Sequence, residues 1–143
     1  MLAPFDATGR DGTLACVLLG ERHHTLSEGV RGLLETAFDA VFMVADEASL
    51  LEGAARLQPA LVVVDLGLAG GDLPRLAARL RECAPSARLL LLSVHDECTI
   101  ASDALDAGAD GLVVKSQIAT ELLPAVDAIL AGRRFFSTAA YPQ

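Results

Sequence analysis

Short apolar runs alternate with longer amphipathic segments along the chain from Leu14 onward. The runs have the length and composition of strands buried on both faces, as in parallel sheets. The first segment between them, 26–38, spaces its apolar residues by three, four and seven, which predicts a helix with one buried face. The whole pattern predicts strands at 14–19, 41–45, 60–64, 88–93 and 111–115, and helices at 26–38, 49–57, 73–83, 96–107 and 120–131.

Proline, glycine and capping residues mark several of the predicted boundaries. Asp72 is suited to cap a helix, and Pro74 then falls in its first turn, where the missing N–H costs little. Gly108 is placed to end the fourth helix in the left-handed conformation. Pro124 is expected in or near the first turn of the last helix. The glycines of 67–71 predict a flexible loop.

Five strands that alternate with five helices predict an α/β fold. Crossovers of this length require parallel pairing and place helices on both faces of a doubly wound sheet. The length of 143 residues suits one domain. We expect a flexible leader at 1–13, one folded domain at 14–137 and a tail at 138–143. Within 133–136, Arg-Arg-Phe-Phe is expected to be a helix end that packs an aromatic ring onto the domain.

Composition and charge exclude several classes of protein. The chain has 11 basic and 19 acidic side chains, a net charge of −8, which disfavours direct binding to nucleic acid. No apolar stretch approaches the roughly 20 residues that span a bilayer, and 1–13 does not resemble a secretory signal. The three scattered cysteines, Cys16, Cys83 and Cys98, favour a reducing compartment over a disulfide framework. We therefore expect a cytoplasmic protein that does not contact membranes.

Polar residues follow four of the predicted strands. Glu21 and Arg22 follow the first, Asp65 the third, Ser93 ends the fourth, and Lys115 ends the fifth. Ligands of open α/β sheets bind outside the carboxyl ends of the strands. Segments far apart in sequence thus deliver charged groups to one edge of the sheet, which predicts a functional site there.

Three motifs resemble the receiver domain of bacterial two-component response regulators, the CheY-like family, and most of all the NarL/FixJ-type receivers. They are Val63–Gly70 around Asp65, Leu91-Leu92-Ser93, and Ala107–Lys115. The resemblance covers about 14–137. It implies a flavodoxin-like fold with the strand order 2-1-3-4-5.

The resemblance also implies roles for these residues in phosphorelay signalling. Asp65 would accept a phosphoryl group from a sensor histidine kinase, a phosphotransfer protein or a small phosphodonor. Lys115 would pair with the phosphoryl oxygens, and Ser93 would donate a hydrogen bond to them. A carboxylate can attack phosphorus, and cations and hydroxyl donors stabilise the charge of the transition state. Mg²⁺ is the expected cofactor, held by Glu21, Asp65 and the backbone carbonyl of Gly67.

The sequence departs from the family at the metal site. Glu21-Arg22 replaces a pair of adjacent acids, so two carboxylates face the cations of Arg22 and Lys115 and the net charge is zero. We therefore expect weak or absent Mg²⁺ binding. Leu112 replaces a common switch aromatic, and Ala69 and Leu73 replace the usual proline and glycine.

Arg22 and the neighbouring histidines leave alternatives open. Arg22 either turns to solvent or pairs with Asp65 in place of a metal. His23 and His24 are expected to be residues of the loop that enters the first helix, without a partner cluster for a metal.

Two functions remain in view from the sequence. One is a phosphorylatable receiver; the alternative is a phosphorylation-independent interaction module. The resemblance implies that the face of the fourth helix, fifth strand and fifth helix would bind a partner or a second copy of the chain. Two other protein classes with similar sheets are disfavoured. Dehalogenase-type phosphatases need a second acid at the position of Gly67. Flavodoxins need a phosphate-binding loop rich in Ser and Thr after the first strand, where this chain has a charged segment that begins with Glu21. A DNA-binding domain would have to lie outside this chain.

Overall fold

The strands form one parallel sheet with helices on both faces. A computed structural model describes residues 15–94 and 98–137, so the predicted leader at 1–13 and the tail at 138–143 lie outside the described residues. The strands are β1 (Cys16–Gly20), β2 (Ala40–Val44), β3 (Leu61–Asp65), β4 (Arg88–Ser93), β5 (Gly111–Val114) and β6 (Phe135–Phe136). The helices are α1 (His24–Leu34), α2 (Glu47–Leu57), α3 (Leu73–Cys83), α4 (Cys98–Asp106) and α5 (Ile118–Leu130).

Among the described residues the sheet has six strands, in the order β2-β1-β3-β4-β5-β6. The prediction of five strands is therefore wrong, although the predicted order of those five is correct. The expectation of a helix end at 133–136 is also wrong, because α5 ends at Leu130 and Phe135–Phe136 pair with β5. Ser137 N donates to Leu112 O at 2.8 Å and closes the ladder. A two-residue strand is too short to show an alternating pattern.

Alternate residues of each central strand pack into two separate aliphatic layers. Val64 and Leu91 lie in the layer covered by α2, α3 and α4. Val17 and Val63 lie in the opposite layer, covered by α1 and α5. Because both faces of the sheet are buried, β3 is buried at every position. This explains the uninterrupted apolar run in the sequence.

The predicted boundary signals are mostly confirmed. The Asp72 side chain accepts a hydrogen bond from Arg75 N at 3.1 Å, Pro74 lies in the first turn of α3, and Gly108 has a φ of +88°. Pro124 is the exception, because α5 begins at Ile118 and the proline falls in its second turn.

The segment after β3 is more regular than the expected flexible loop. Leu66–Ala69 forms a 3₁₀ turn that ends at Gly70 with a φ of +61°. The turn carries the backbone away from Asp65 toward α3. In the described residues, no helix has the length and apolarity needed to cross a bilayer.

Candidate functional site

The carboxyl ends of β1, β3 and β5 bring three charged side chains together. Asp65 is the last residue of β3, Glu21 follows β1, and Lys115 follows β5. Glu21 N donates to Val44 O of β2 at 3.0 Å, which fixes the backbone beyond the end of β1. The sheet edge predicted from the sequence therefore does carry a cluster of charges.

Lys115 pairs with both carboxylates. Its Nζ lies 3.0 Å from Asp65 Oδ1 and 3.1 Å from Glu21 Oε1. The Glu21 side chain is fully buried, and those of Asp65 and Lys115 are 8% and 11% exposed. Among the described residues Glu21 Oε1 accepts no hydrogen bond, so its contact with Lys115 is an ion pair without hydrogen-bond geometry. Burying two like charges requires such a cation, because an unpaired buried carboxylate is costly.

His23 joins the cluster, which the sequence interpretation missed. Its Nδ1 lies 2.9 Å from Glu21 Oε2, and its backbone N–H donates to the same oxygen at 3.1 Å. Donor atoms of Glu21, His23 and Asp65 all lie within 4.8 Å of one another. The expectation of a histidine at the entry of α1 is confirmed, but the expectation that it lacks a partner cluster is wrong. The Glu-x-His spacing after a strand end was the available signal.

Arg22 reaches the mouth of the site without pairing with Asp65. A Cβ added to Gly67 would lie 2.9 Å from Asp65 Oδ2 and 3.1 Å from Arg22 Nη2. A side chain at position 67 would therefore crowd both the Asp65 carboxylate and the Arg22 guanidinium, and glycine avoids this. Within the described part of the chain, no ion pair joins Arg22 to Asp65, and Arg22 is exposed. Arg22 is thus exposed, as in the first alternative, and lines the cleft near Asp65 without the ion pair of the second.

An open cleft of about 710 Å³ lies over these strand ends. Ser93 is buried at the end of β4 and lines the cleft together with Asp65 and Lys115. Helix α4 contributes Asp103 and Asp106 to its lining, two acids that the sequence did not single out. Gly67 also lines the cleft, whereas Glu21 is buried and is not among the lining residues.

Leu112, at the position of the expected switch residue, is fully buried and pairs with Phe136 of β6. It lies in the layer covered by α2, α3 and α4. Its side chain thus contributes to the core and not to the surface of the site.

Comparisons with known proteins agree with this geometry. The family model described as "Response regulator receiver domain" matches residues 17–127. The "Probable transcriptional regulatory protein NarL" of Mycobacterium tuberculosis H37Rv is 35% identical over 112 residues, which are 77% of this chain and 52% of the relative. The "Nitrate/nitrite response regulator protein NarL" of Escherichia coli K12 is 34% identical over 134 residues, 90% of this chain and 60% of the relative.

A solved structure gives the same result. The two-component response regulator of the LuxR family from Aurantimonas sp. SI85-9A1 is 32% identical and superimposes with a TM-score of 0.79, covering 90% of this chain and 93% of that one. The chain spans between half and three fifths of the length of the two NarL relatives. From the matched family, the shared fold and the charged edge of the sheet, we conclude that this chain belongs to the receiver domain family of two-component response regulators.

Proposed function

We propose that Asp65 is the residue of this receiver that accepts a phosphoryl group, from a histidine kinase or a phosphotransfer protein. Phosphorylation on an aspartate is general in the family. The observation that carries the assignment to Asp65 is its contact with Lys115, whose Nζ lies 3.0 Å from Oδ1 at the floor of an open cleft. A carboxylate that is nearly buried, yet faces a cleft beside a fixed cation, is suited to anionic chemistry.

The reaction would proceed by attack of an Asp65 carboxylate oxygen on the phosphorus of a phosphohistidine. The new bond is an acyl phosphate O–P bond, the N–P bond of the donor breaks, and the donor imidazole keeps the electron pair and takes up a proton. Lys115 would exchange part of its contact with Asp65 for the phosphoryl oxygens. Ser93, which lines the same cleft, would donate its hydroxyl hydrogen to one of them.

Receiver domains generally bind Mg²⁺ at this edge of the sheet, but the residues here fit that ion poorly. Mg²⁺ prefers several oxygen ligands and dehydrates reluctantly. Both carboxylates are already paired with Lys115, and Arg22 supplies a second cation at the cleft mouth. The third donor in the cluster is an imidazole nitrogen. We therefore assign Mg²⁺ no part in the step described above and expect it to bind weakly.

The same neutral cluster supports a second candidate function. A site whose carboxylates already contact an internal cation needs neither metal nor phosphate to hold its shape. The chain would then act as a phosphorylation-independent module that binds other proteins. In both cases its role is signalling and not enzymatic.

Acetyl phosphate treatment followed by intact-mass measurement separates the two functions. We expect a gain of about 80 Da, one phosphoryl group, that is absent from Asp65→Asn. Asp127→Asn is the matched control, because Asp127 is exposed on α5 and away from the cleft. The gain should persist in EDTA if Mg²⁺ plays little part. No adduct from acetyl phosphate or from a cognate kinase would favour the interaction module.

The relatives named as transcriptional regulators are longer than this chain, so the output of the whole protein is also a proposal. We propose that the chain is the receiver of a cytoplasmic regulator of transcription, whose DNA contacts are made outside it. We also propose that two copies of the chain associate through the face formed by α4, β5 and α5. Because β6 pairs with the outer edge of β5, such a dimer would be built from side chains and not from β5 backbone.

A further inference from the structure

We propose that Arg22 is a catalytic residue for the phosphorylation of Asp65. Its guanidinium binds the oxygens of the incoming phosphoryl group and takes the place of a divalent metal ion. This inference rests on the proposed role of Asp65 as the acceptor. Three observations support it: the unused oxygen of Asp65, the distance from that oxygen to Arg22, and the charge that phosphorylation adds to the cluster.

The two carboxylate oxygens of Asp65 have different surroundings. Oδ1 lies 3.0 Å from Lys115 Nζ. Among the described residues, Oδ2 takes part in no hydrogen bond or ion pair. Since Asp65 lines the cleft, Oδ2 is the oxygen available to attack a phosphorus atom there. Its attack on acetyl phosphate forms an O–P bond and breaks the bond between phosphorus and acetate, which leaves with the electron pair.

The gap between Asp65 Oδ2 and Arg22 has room for one phosphoryl oxygen. Oδ2 and Arg22 Nη2 lie 2.9 and 3.1 Å from one point, the position that a Cβ of Gly67 would take, so they are at most about 6 Å apart. In the described part of the chain they form no ion pair, which requires about 4 Å or less. An oxygen of a phosphoryl group on Oδ2 lies roughly 2.5 Å from it, and a charge-assisted hydrogen bond to the guanidinium adds about 2.7–2.9 Å. The resulting span of roughly 5 Å falls between these two limits.

Phosphorylation adds negative charge that Lys115 alone does not balance. The phosphoryl group carries a charge of about −1.5 to −2 near neutral pH, in place of the single charge of the carboxylate. Lys115 also lies 3.1 Å from the fully buried Glu21, whose charge would be costly to leave unpaired. Arg22 is exposed and has no ion pair within the described residues, so its charge is available. Asp103 and Asp106 line the same cleft, and their negative charge increases the need for a cation.

A guanidinium has the chemistry that this position requires. Its planar fork of N–H donors matches the oxygens of a phosphoryl group, and an arginine supplied by the same chain can stabilise the transition state of phosphoryl transfer. Unlike Mg²⁺, it needs no carboxylate ligands, and Lys115 already contacts both carboxylates. Phosphorylation of Asp65 is therefore expected not to depend on divalent metal ions.

The test measures the rate of phosphorylation by acetyl phosphate, from intact mass against time, in EDTA and in excess Mg²⁺. The variants are Arg22→Gln, which removes the charge, and Arg22→Lys, which keeps the charge without the fork of donors. Arg79→Gln is the matched control, because Arg79 is exposed on α3 and does not line the cleft. Circular dichroism and urea unfolding establish that each variant is folded.

We expect the wild type and Arg79→Gln to react at the same rate in EDTA, and Mg²⁺ to leave that rate unchanged. Arg22→Gln should react about tenfold or more slowly in EDTA, with Arg22→Lys between the two. Equal rates for the wild type and Arg22→Gln, or an equal loss in Arg79→Gln, would overturn the role of Arg22 and leave Asp65 as the acceptor. A wild type that reacts only with Mg²⁺ would do the same. No adduct on the wild type in either condition would overturn this inference and the proposed function together.

Discussion

Lys115 is the residue on which the electrostatics of the site depend. One ammonium group contacts two carboxylates, at 3.0 and 3.1 Å, and only 11% of its side chain is exposed. The sequence predicted Lys115, Asp65 and Glu21 at one edge of the sheet, because strand ends can be placed from apolar runs. It could not predict that a single lysine contacts both acids, since that depends on side-chain conformations that no pattern encodes.

Replacing Arg22 tests how far charge controls metal binding. Arg22→Asp changes the cluster from neutral to a net charge of −2 and restores an acid where the family has one. We expect Mg²⁺ affinity to rise about tenfold or more, equivalent to about 1.4 kcal/mol. Calorimetric titration of the purified variant measures it.

The control is Arg79→Asp, which makes the same change of net charge at an exposed position of α3 outside the cleft. It should leave Mg²⁺ affinity unchanged. If Arg22→Asp behaves like Arg79→Asp, the guanidinium does not affect the metal site.

At the scale of elements, the sequence located strands and helices well and missed one strand. The five predicted strands and five predicted helices each correspond to an observed element within a few residues. The missing strand, β6, contains two residues and depends on a contact with β5 that is remote in sequence. The position of His23 at the entry of α1 could be predicted from the local sequence. Its proximity to Asp65 at the end of β3 could not, because that contact joins residues remote in sequence.

Gly111 determines whether β6 can pair with β5. A Cβ on Gly111 would lie 2.6 Å from Phe135 O and 2.7 Å from Ile129 Cδ1. We expect Gly111→Ala to destabilise the protein by more than about 1 kcal/mol, because the backbone of β6 must shift. Urea unfolding provides the measurement.

Gly32→Ala in α1 is the matched substitution. No atom of residues 15–94 or 98–137 is recorded within 4 Å of a Cβ at Gly32. Alanine there should stabilise the helix by about 0.5–1 kcal/mol. If both variants shifted stability in the same direction, close packing at Gly111 would not be the cause.

At the scale of the whole molecule, the sheet divides the core into two layers, which share no buried residue in the described parts of the chain. Val17 belongs to one layer, and Val64 and Leu91 belong to the other, where they are register partners on β3 and β4. Distant sites without shared partners contribute independently to stability, whereas neighbours in contact do not.

We expect the losses in unfolding free energy caused by Val17→Ala and Val64→Ala to add in the double variant. Each substitution removes two buried methyl groups and should cost about 2 kcal/mol. Val64→Ala combined with Leu91→Ala should deviate from additivity, by about 0.5 kcal/mol or more. Free energies of unfolding from urea titrations give both sums. Coupling between Val17 and Val64 as large as that between Val64 and Leu91 would show that the two layers respond as one.

The short strand β6 has a consequence for the solubility of the chain. An unpaired edge strand offers free N–H and C=O groups to other chains and invites aggregation. With β6 in place, the apolar strand β5 is not an edge. In the part of the chain that the structure describes, the last strand on that side is two residues long, too short to template an intermolecular sheet. On the opposite side of the described sheet, β2 is the edge and exposes Phe42. Intermolecular strand addition is therefore expected to begin at β2, and Phe42→Lys is the substitution that should suppress it.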